Sequence, residues 1–202
     1  DKAGKLYLPA VQKMVSDQAG AFILLSTRQF SDAVLNLEDD PEWGPRGVIL
    51  DENTKEIKVH GYITHSLVDD FERVASENPT VSTVDLDSDG GRVVQAEKMR
   101  NFIHLHHMDT LVTRECDSAC TVVFLGASRR SLAQNARLGF HTASAGGFIA
   151  KATNKRLREE AASAGVSSDF LARAYTTDTM WYPSVAQLKA ARVITDIVPT
   201  QR

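Results

Sequence analysis

From Gly47 onward, short apolar runs alternate with amphipathic stretches, and this alternation restricts the possible folds more than any other property of the sequence. Val48-Ile49-Leu50 reads as a strand, 51–55 as a turn, and 56–59 as a second strand closing a hairpin before Gly61. Thr64 or Ser66 can cap a helix running to about Asn78, with Leu67, Phe71, Val74 and Ala75 on one face and Pro79 as its stop. A strand over 81–86 ends at Asp89-Gly90-Gly91, which turns into a helix over 92–107. There follow a strand over 110–113, a buried helix over 118–127 and a strand over 137–140. Helices over 157–164 and 168–175, split by Gly165, lead to a helix over 185–191 and a strand over 193–198. Alternating strands and helices predict an α/β fold, a mostly parallel sheet with its helices outside.

Residues 1–46 read differently. Val11, Met14, Val15, Ala21, Ile23, Leu24 and Leu25 have helix-compatible spacing, and Pro41 closes the segment. The division expected is an N-terminal helical extension over 1–46 and a main domain over 47–202. A chain of 202 residues has length enough for one good core. Its net charge of −3 gives no electrostatic reason to expect nucleic acid as a partner. No apolar run approaches the ~20 residues that span a bilayer. The first residue is Asp1, so a leader or membrane anchor can precede the covered chain.

The cysteines are Cys116 and Cys120. Four positions apart on a helix, their Cα atoms would lie about 6 Å apart, within disulfide reach. Two readings stand: a bridge formed in an oxidising compartment, or two small buried thiols on one helix face.

Between them lies Ser118, where a loop enters a helix. Acyl transfer by a serine needs a base, an orienter for that base, and donors for the developing oxyanion. His141, ending an apolar strand and followed by small residues, is the natural base. Gly90 and Gly91 let backbone N–H groups approach a ligand closely, and one of these with the Ala119 N–H could form the oxyanion hole. The plainer readings are Ser118 as a helix cap, Asp89-Gly90 as an ordinary turn, and His141 as a hydrogen-bonded strand residue.

Together these motifs resemble the proteolytic subunit of the Clp protease and the wider Clp/crotonase-fold superfamily, over roughly 55–198. Leu86-Asp87-Ser88-Asp89-Gly90-Gly91 is similar to the family's strand and Asn-Ser-Pro-Gly-Gly turn, with Asp89 in place of proline. Ser118-Ala119-Cys120 falls at its nucleophile and oxyanion-hole residue. Gly126-Ala127-Ser128-Arg129-Arg130 resembles the turn that follows, and 135–141 resembles Asn-Ala-Arg-Ile-Met-Ile-His, with His141 at the catalytic histidine. Residues 188–198 resemble the final segment, except that Arg192 stands where glycine is expected. The resemblance implies a Clp/crotonase-like ββα superhelix and a serine peptidase or hydrolase. Its site would be Ser118, His141 and Asp178, with an oxyanion hole from Gly91 and Ala119. Asp169 and Asp196 are fallbacks for the aspartate. No metal or organic cofactor is implied. The substrate would be a peptide or protein, and the chain a homo-oligomer. Cys-x-Ser-Ala-Cys and Gly-Phe-His point to a bacterial branch that is periplasmic or membrane-associated, with the cytoplasm as the alternative location. The rival function is a non-catalytic scaffold of the same fold. An acyl-CoA enzyme ranks behind both.

His104 and His107 share a helix face but His106 does not, and no carboxylate or thiol cluster accompanies them as metal ligands would. Lys151 or Lys155 could serve as base in a Ser–Lys site, but both lie in a polar stretch. Arg129-Arg130 suits the carbonyl end of a helix, and Trp181-Tyr182-Pro183 suits core packing, the cleft or an oligomer contact.

Overall fold

The structure is a computed structural model, and it describes residues 47–145 and 148–199. The expected helical extension over 1–46 lies outside the described residues.

Strands β1 (Gly47–Asp51) and β2 (Glu56–His60) form the expected hairpin. Its turn is set by Asp51, whose carboxylate accepts from the Asn53 and Thr54 amides and pairs with Lys58 at 2.7 Å. Helix α1 (His65–Glu77) starts at Thr64, whose hydroxyl accepts from the Leu67 N–H at 3.1 Å. This satisfies one of the four orphan donors of a helix start. Strand β3 (Thr83–Asp87), helix α2 (Val93–Leu105) and strand β4 (Asp109–Val112) follow as the sequence predicts, within a residue or two.

Beyond β4 the sequence misses several elements. A three-residue strand β5 (Glu115–Asp117) precedes a short helix α3 (Ala119–Phe124). Arg130–Ala133 is strand β6, and Arg137–Gly139 is β7. A small hairpin, β8 (Ser144–Ala145) and β9 (Phe148–Ile149), leads into helix α4 (Lys151–Ser163), which starts six residues earlier than expected. Helices α5 (Ser168–Ala174) and α6 (Val185–Ala190) precede β10 (Asp196–Val198).

The main sheet has the order β1-β2-β3-β4-β6-β10, parallel from β2 onward. Ile57, Val59, Val84, Leu86, Val112 and Leu132 alternate onto one face and are almost wholly buried in the core with residues of α1, α2 and α3. Each such side chain contributes about 1.5–3 kcal/mol by leaving water. The α/β class with a mostly parallel sheet is therefore the observed architecture.

Two details at the end of the chain bear on the expectations. Arg192 adopts φ 60°, the left-handed region, so the turn where glycine was expected forms with an arginine at a steric cost of about 1–2 kcal/mol. Arg130 is buried, and its guanidinium donates to the carbonyls of Ala127, Arg192 and Val193 at 2.8 Å each and of Ala164 at 3.5 Å. One of the two arginines therefore does satisfy a carbonyl just past a helix end.

Candidate active site

The site is built where β3 and the parallel pair β5–β7 end. Ser88 bridges to Cys116, with Ser88 N–H to Glu115 O and Asp117 N–H to Ser88 O at 3.0 and 2.8 Å. Residues 115–117 pair with 137–139, so both strands run the same way and deliver Ser118 and His141 at the same end. The Ser118 N–H donates to Gly139 O at 2.9 Å, extending that pairing by one bond.

Ser118 has φ 54° and ψ −121°, a conformation costly for a residue with a Cβ, on the order of 1–3 kcal/mol. It makes the sharp turn from β5 into α3. Its side chain caps nothing. Helix caps have extended φ and ψ and lend an oxygen to the second or third amide, and Ser118 does neither. Its Oγ instead lies 2.6 Å from His141 Nε2. Cys116 and Cys120, both fully buried, are joined in a disulfide across this turn, with Cα atoms 5.2 Å apart.

Gly90 and Gly91 are placed by sterics. At φ 104°, Gly90 lies against the serine, and a Cβ there would stand 2.7 Å from Ser118 Cβ and 2.8 Å from Asp117 O. At φ 145°, Gly91 lies against Ile63 and bridges to it through Gly90 O and the Arg92 N–H. In a parallel bridge of that form the central residue's own N–H faces the other way. Neither the Gly91 nor the Ala119 N–H has a backbone acceptor among the described residues. Gly91, Ser118, Ala119 and His141 line one cavity of about 180 Å³. Its walls include Val93, Val122, Phe140, Leu157 and Tyr175.

His141 is half-buried, and burial holds its pKa below the ordinary histidine value, so the ring is neutral and able to accept a proton at pH 7. The chain around it is fixed by Phe140, which exchanges two backbone bonds with Trp181, and by Thr142, whose N–H donates to Thr177 O at 2.8 Å. Asp178 comes to the edge of this arrangement. It is exposed, and its carboxylate accepts from the Thr142 hydroxyl at 3.4 Å, with no hydrogen bond to the His141 ring among those described. Asp169 is engaged by the Ser168 hydroxyl at 3.5 Å, and Asp196 by Arg129 and Thr195. Lys151 and Lys155 are exposed on α4. His106 stacks on Phe102 with ring centroids 4.1 Å apart.

A second polar group escaped the sequence reading. Glu115 and Asp117, both almost wholly buried, share a face of the β5–β7 pair with Arg137. Tyr182 donates its hydroxyl to Asp117 at 2.6 Å. The signal available was two acids at alternating positions directly before the serine.

Comparison with family models and with curated proteins finds no match. Solved structures do match. The chain is 22% identical to ClpP1 from Listeria monocytogenes over 74% of this chain and 94% of that one, with a TM-score of 0.63. An asparagine-to-aspartate mutant of that ClpP1 matches at 21% identity, 73% and 92% coverage and a TM-score of 0.62. At these identities the likeness is one of fold, and the fold of the described chain is Clp-protease-like.

Proposed function

We propose that this chain is a serine hydrolase acting on peptide or protein substrates, with Ser118 as nucleophile and His141 as base. The observation that carries the reading is the 2.6 Å contact between His141 Nε2 and a serine hydroxyl that caps nothing. The scheme follows from the groups present. His141 takes the Ser118 proton as Oγ attacks the substrate carbonyl. The Gly91 and Ala119 amides receive the oxyanion. His141 returns the proton to the leaving amine, and a water activated in the same way releases the acyl group. These steps call for no metal or organic cofactor. Asp178 is the proposed orienter, bonded to the Thr142 hydroxyl beside His141. The apolar walls of the cavity favour an uncharged substrate side chain next to the scissile bond.

The proposal extends to location and assembly. The buried Cys116–Cys120 bridge favours an oxidising compartment, the periplasm or the periplasmic face of a membrane, because cytoplasmic thiols are kept reduced. A homo-oligomer is proposed from the Clp-like fold alone, and light scattering on the purified protein decides it.

A fluorophosphonate probe tests the chemistry. The expected result is labelling that disappears in Ser118→Ala and in His141→Ala. Labelling that survives Ser118→Ala would refute the assignment, and no labelling of the wild type would favour the scaffold reading.

A further inference from the structure

The cavity beside Ser118 is small for a substrate cleft. Its volume is about 180 Å³, and Ser118 and His141 stand in its wall, so the reacting carbonyl and the side chain next to it share that space. For scale, an apolar cavity of about 150 Å³ is filled by a single benzene molecule. With the carbonyl seated there is room for a branched aliphatic side chain. There is none for an aromatic ring together with the methylene that carries it.

The space is ended by Tyr175. This residue directly follows α5, is 5% exposed, and lines the cavity. A second, much smaller crevice of about 10 Å³ lies close by, bordered by Arg100 and Glu160, whose side chains pair at 2.9 Å. Val122, Leu157 and Tyr175 line both spaces, so these three side chains form the partition between them. Val122 sits in α3 four residues after Ser118, and Leu157 packs from α4 into the core. Tyr175 contributes the largest side chain of the three.

The Tyr175 ring is anchored to the chain that carries His141. Two residues on, Thr177 O accepts from the N–H and the hydroxyl of Thr142, at 2.8 and 3.1 Å, and Thr142 is the neighbour of His141. Within α5, Phe170 packs on Phe140 and Trp181, with ring centroids 5.1 and 5.0 Å apart. Shifting Tyr175 to admit a larger group would disturb both anchors, and close-packed interiors resist such shifts. The Tyr175 hydroxyl makes no hydrogen bond among the described residues, so the bulk of the ring and not a polar contact sets the wall.

We propose, resting on the hydrolase reading above, that Tyr175 is the specificity-determining residue of the subsite beside the scissile bond, stopping it at the size of leucine and turning aromatic side chains away. The uncharged side chain of that reading is thereby narrowed to an aliphatic one.

The test uses peptidyl diphenyl phosphonates that differ only in the side chain next to phosphorus, isobutyl as in leucine or benzyl as in phenylalanine. Their second-order rates of inactivation are read as loss of fluorophosphonate labelling. The wild type should react with the leucine analogue about tenfold faster or more, the discrimination a change of pocket size commonly gives. Tyr175→Phe keeps the ring and should keep that ratio. Tyr175→Ala removes the partition and should lower the ratio by about tenfold or more, through a faster reaction with the benzyl compound. Tyr175→Ala also empties a buried position, so Tyr175→Leu, which retains more of the packing, is measured beside it and should give an intermediate ratio. Each ratio is internal to one variant, so a smaller folded fraction does not alter it. A wild type that takes the benzyl compound as readily, a ratio that Ala and Leu leave unchanged, or a ratio already lost in Phe overturns the proposal and leaves the hydrolase reading intact. Fluorophosphonate labelling without reaction of either peptidyl compound does the same. No labelling by any of these probes overturns both.

Discussion

The disulfide across the nucleophile turn yields a prediction whose size can be worked out. Cys116 and Cys120 are four positions apart, so the bridge closes a very small loop. In the chain-entropy account, closing a loop of about five residues removes roughly 7 cal/mol/K from the unfolded chain, or about 2 kcal/mol at 25 °C. Ser118 inside the loop is held at φ 54° at a cost comparable to that gain. Loss of the bridge should therefore do two things. The double variant Cys116→Ala/Cys120→Ala should melt lower by about 4–8 °C, the shift that ~2 kcal/mol produces in a domain of this size. It should also lose probe labelling by more than the stability change explains, because Ser118 is freed to relax toward an ordinary conformation. Both sulfurs are fully buried, so dithiothreitol should act slowly on the folded protein and quickly on a partly unfolded one. The assays are a thermal melt with and without reductant, and labelling rate measured well below the melt. An alanine pair that melts and labels like the wild type would show that packing alone holds the turn, and the reasoning would fail.

Two further outcomes are expected. Gly90→Ala places a Cβ 2.7 Å from Ser118 Cβ and 2.8 Å from Asp117 O at φ 104°, so it should cost about 3 kcal/mol or more and abolish labelling, whereas Gly165→Ala, whose Cβ would meet nothing within 4 Å, should cost less and leave labelling intact. Burial lowers the His141 pKa in the folded state, so the unfolded chain binds the extra proton more readily; stability from this group is present above about pH 6.5 and is lost as pH falls through the window below it. His141→Gln should flatten that part of the melting-temperature curve, and an unchanged slope would show that the ring is not held neutral.

Much of the main sheet was legible because its signals are local. The hairpin turn at 51–55, the Thr64 cap and the helix faces of α1 and α2 depend on residues a few positions apart. Strand β6 was missed because Arg130-Ser131-Leu132-Ala133 opens on an arginine and lacks the apolar run that marked its neighbours. Strand β5 was absorbed into the approach to Ser118, since three residues give no periodicity to read. Ser118 and His141 were singled out through motif resemblance, as nothing in their 23-residue separation dictates a 2.6 Å contact. The cluster around Asp117 was out of reach for the same reason. Its partners are 22 to 67 positions apart, and only the register of β5 against β7 and the bridge at Phe140 bring them together. Asp178 shows the converse: the family resemblance put it in the neighbourhood of His141, but its carboxylate is bonded to the Thr142 hydroxyl.

Arg130 carries a consequence for the tail of the chain. None of the four oxygens it donates to belongs to a carboxylate; all are peptide carbonyls, drawn from three stretches widely separated along the chain. In effect the protein has rebuilt a cation's hydration shell out of main chain, and half of that shell is supplied by Arg192 and Val193. Trimming the chain before those two positions would strand a charge in an apolar interior, so the turn that leads into the final strand is part of what solvates the core and not an end that can be clipped away.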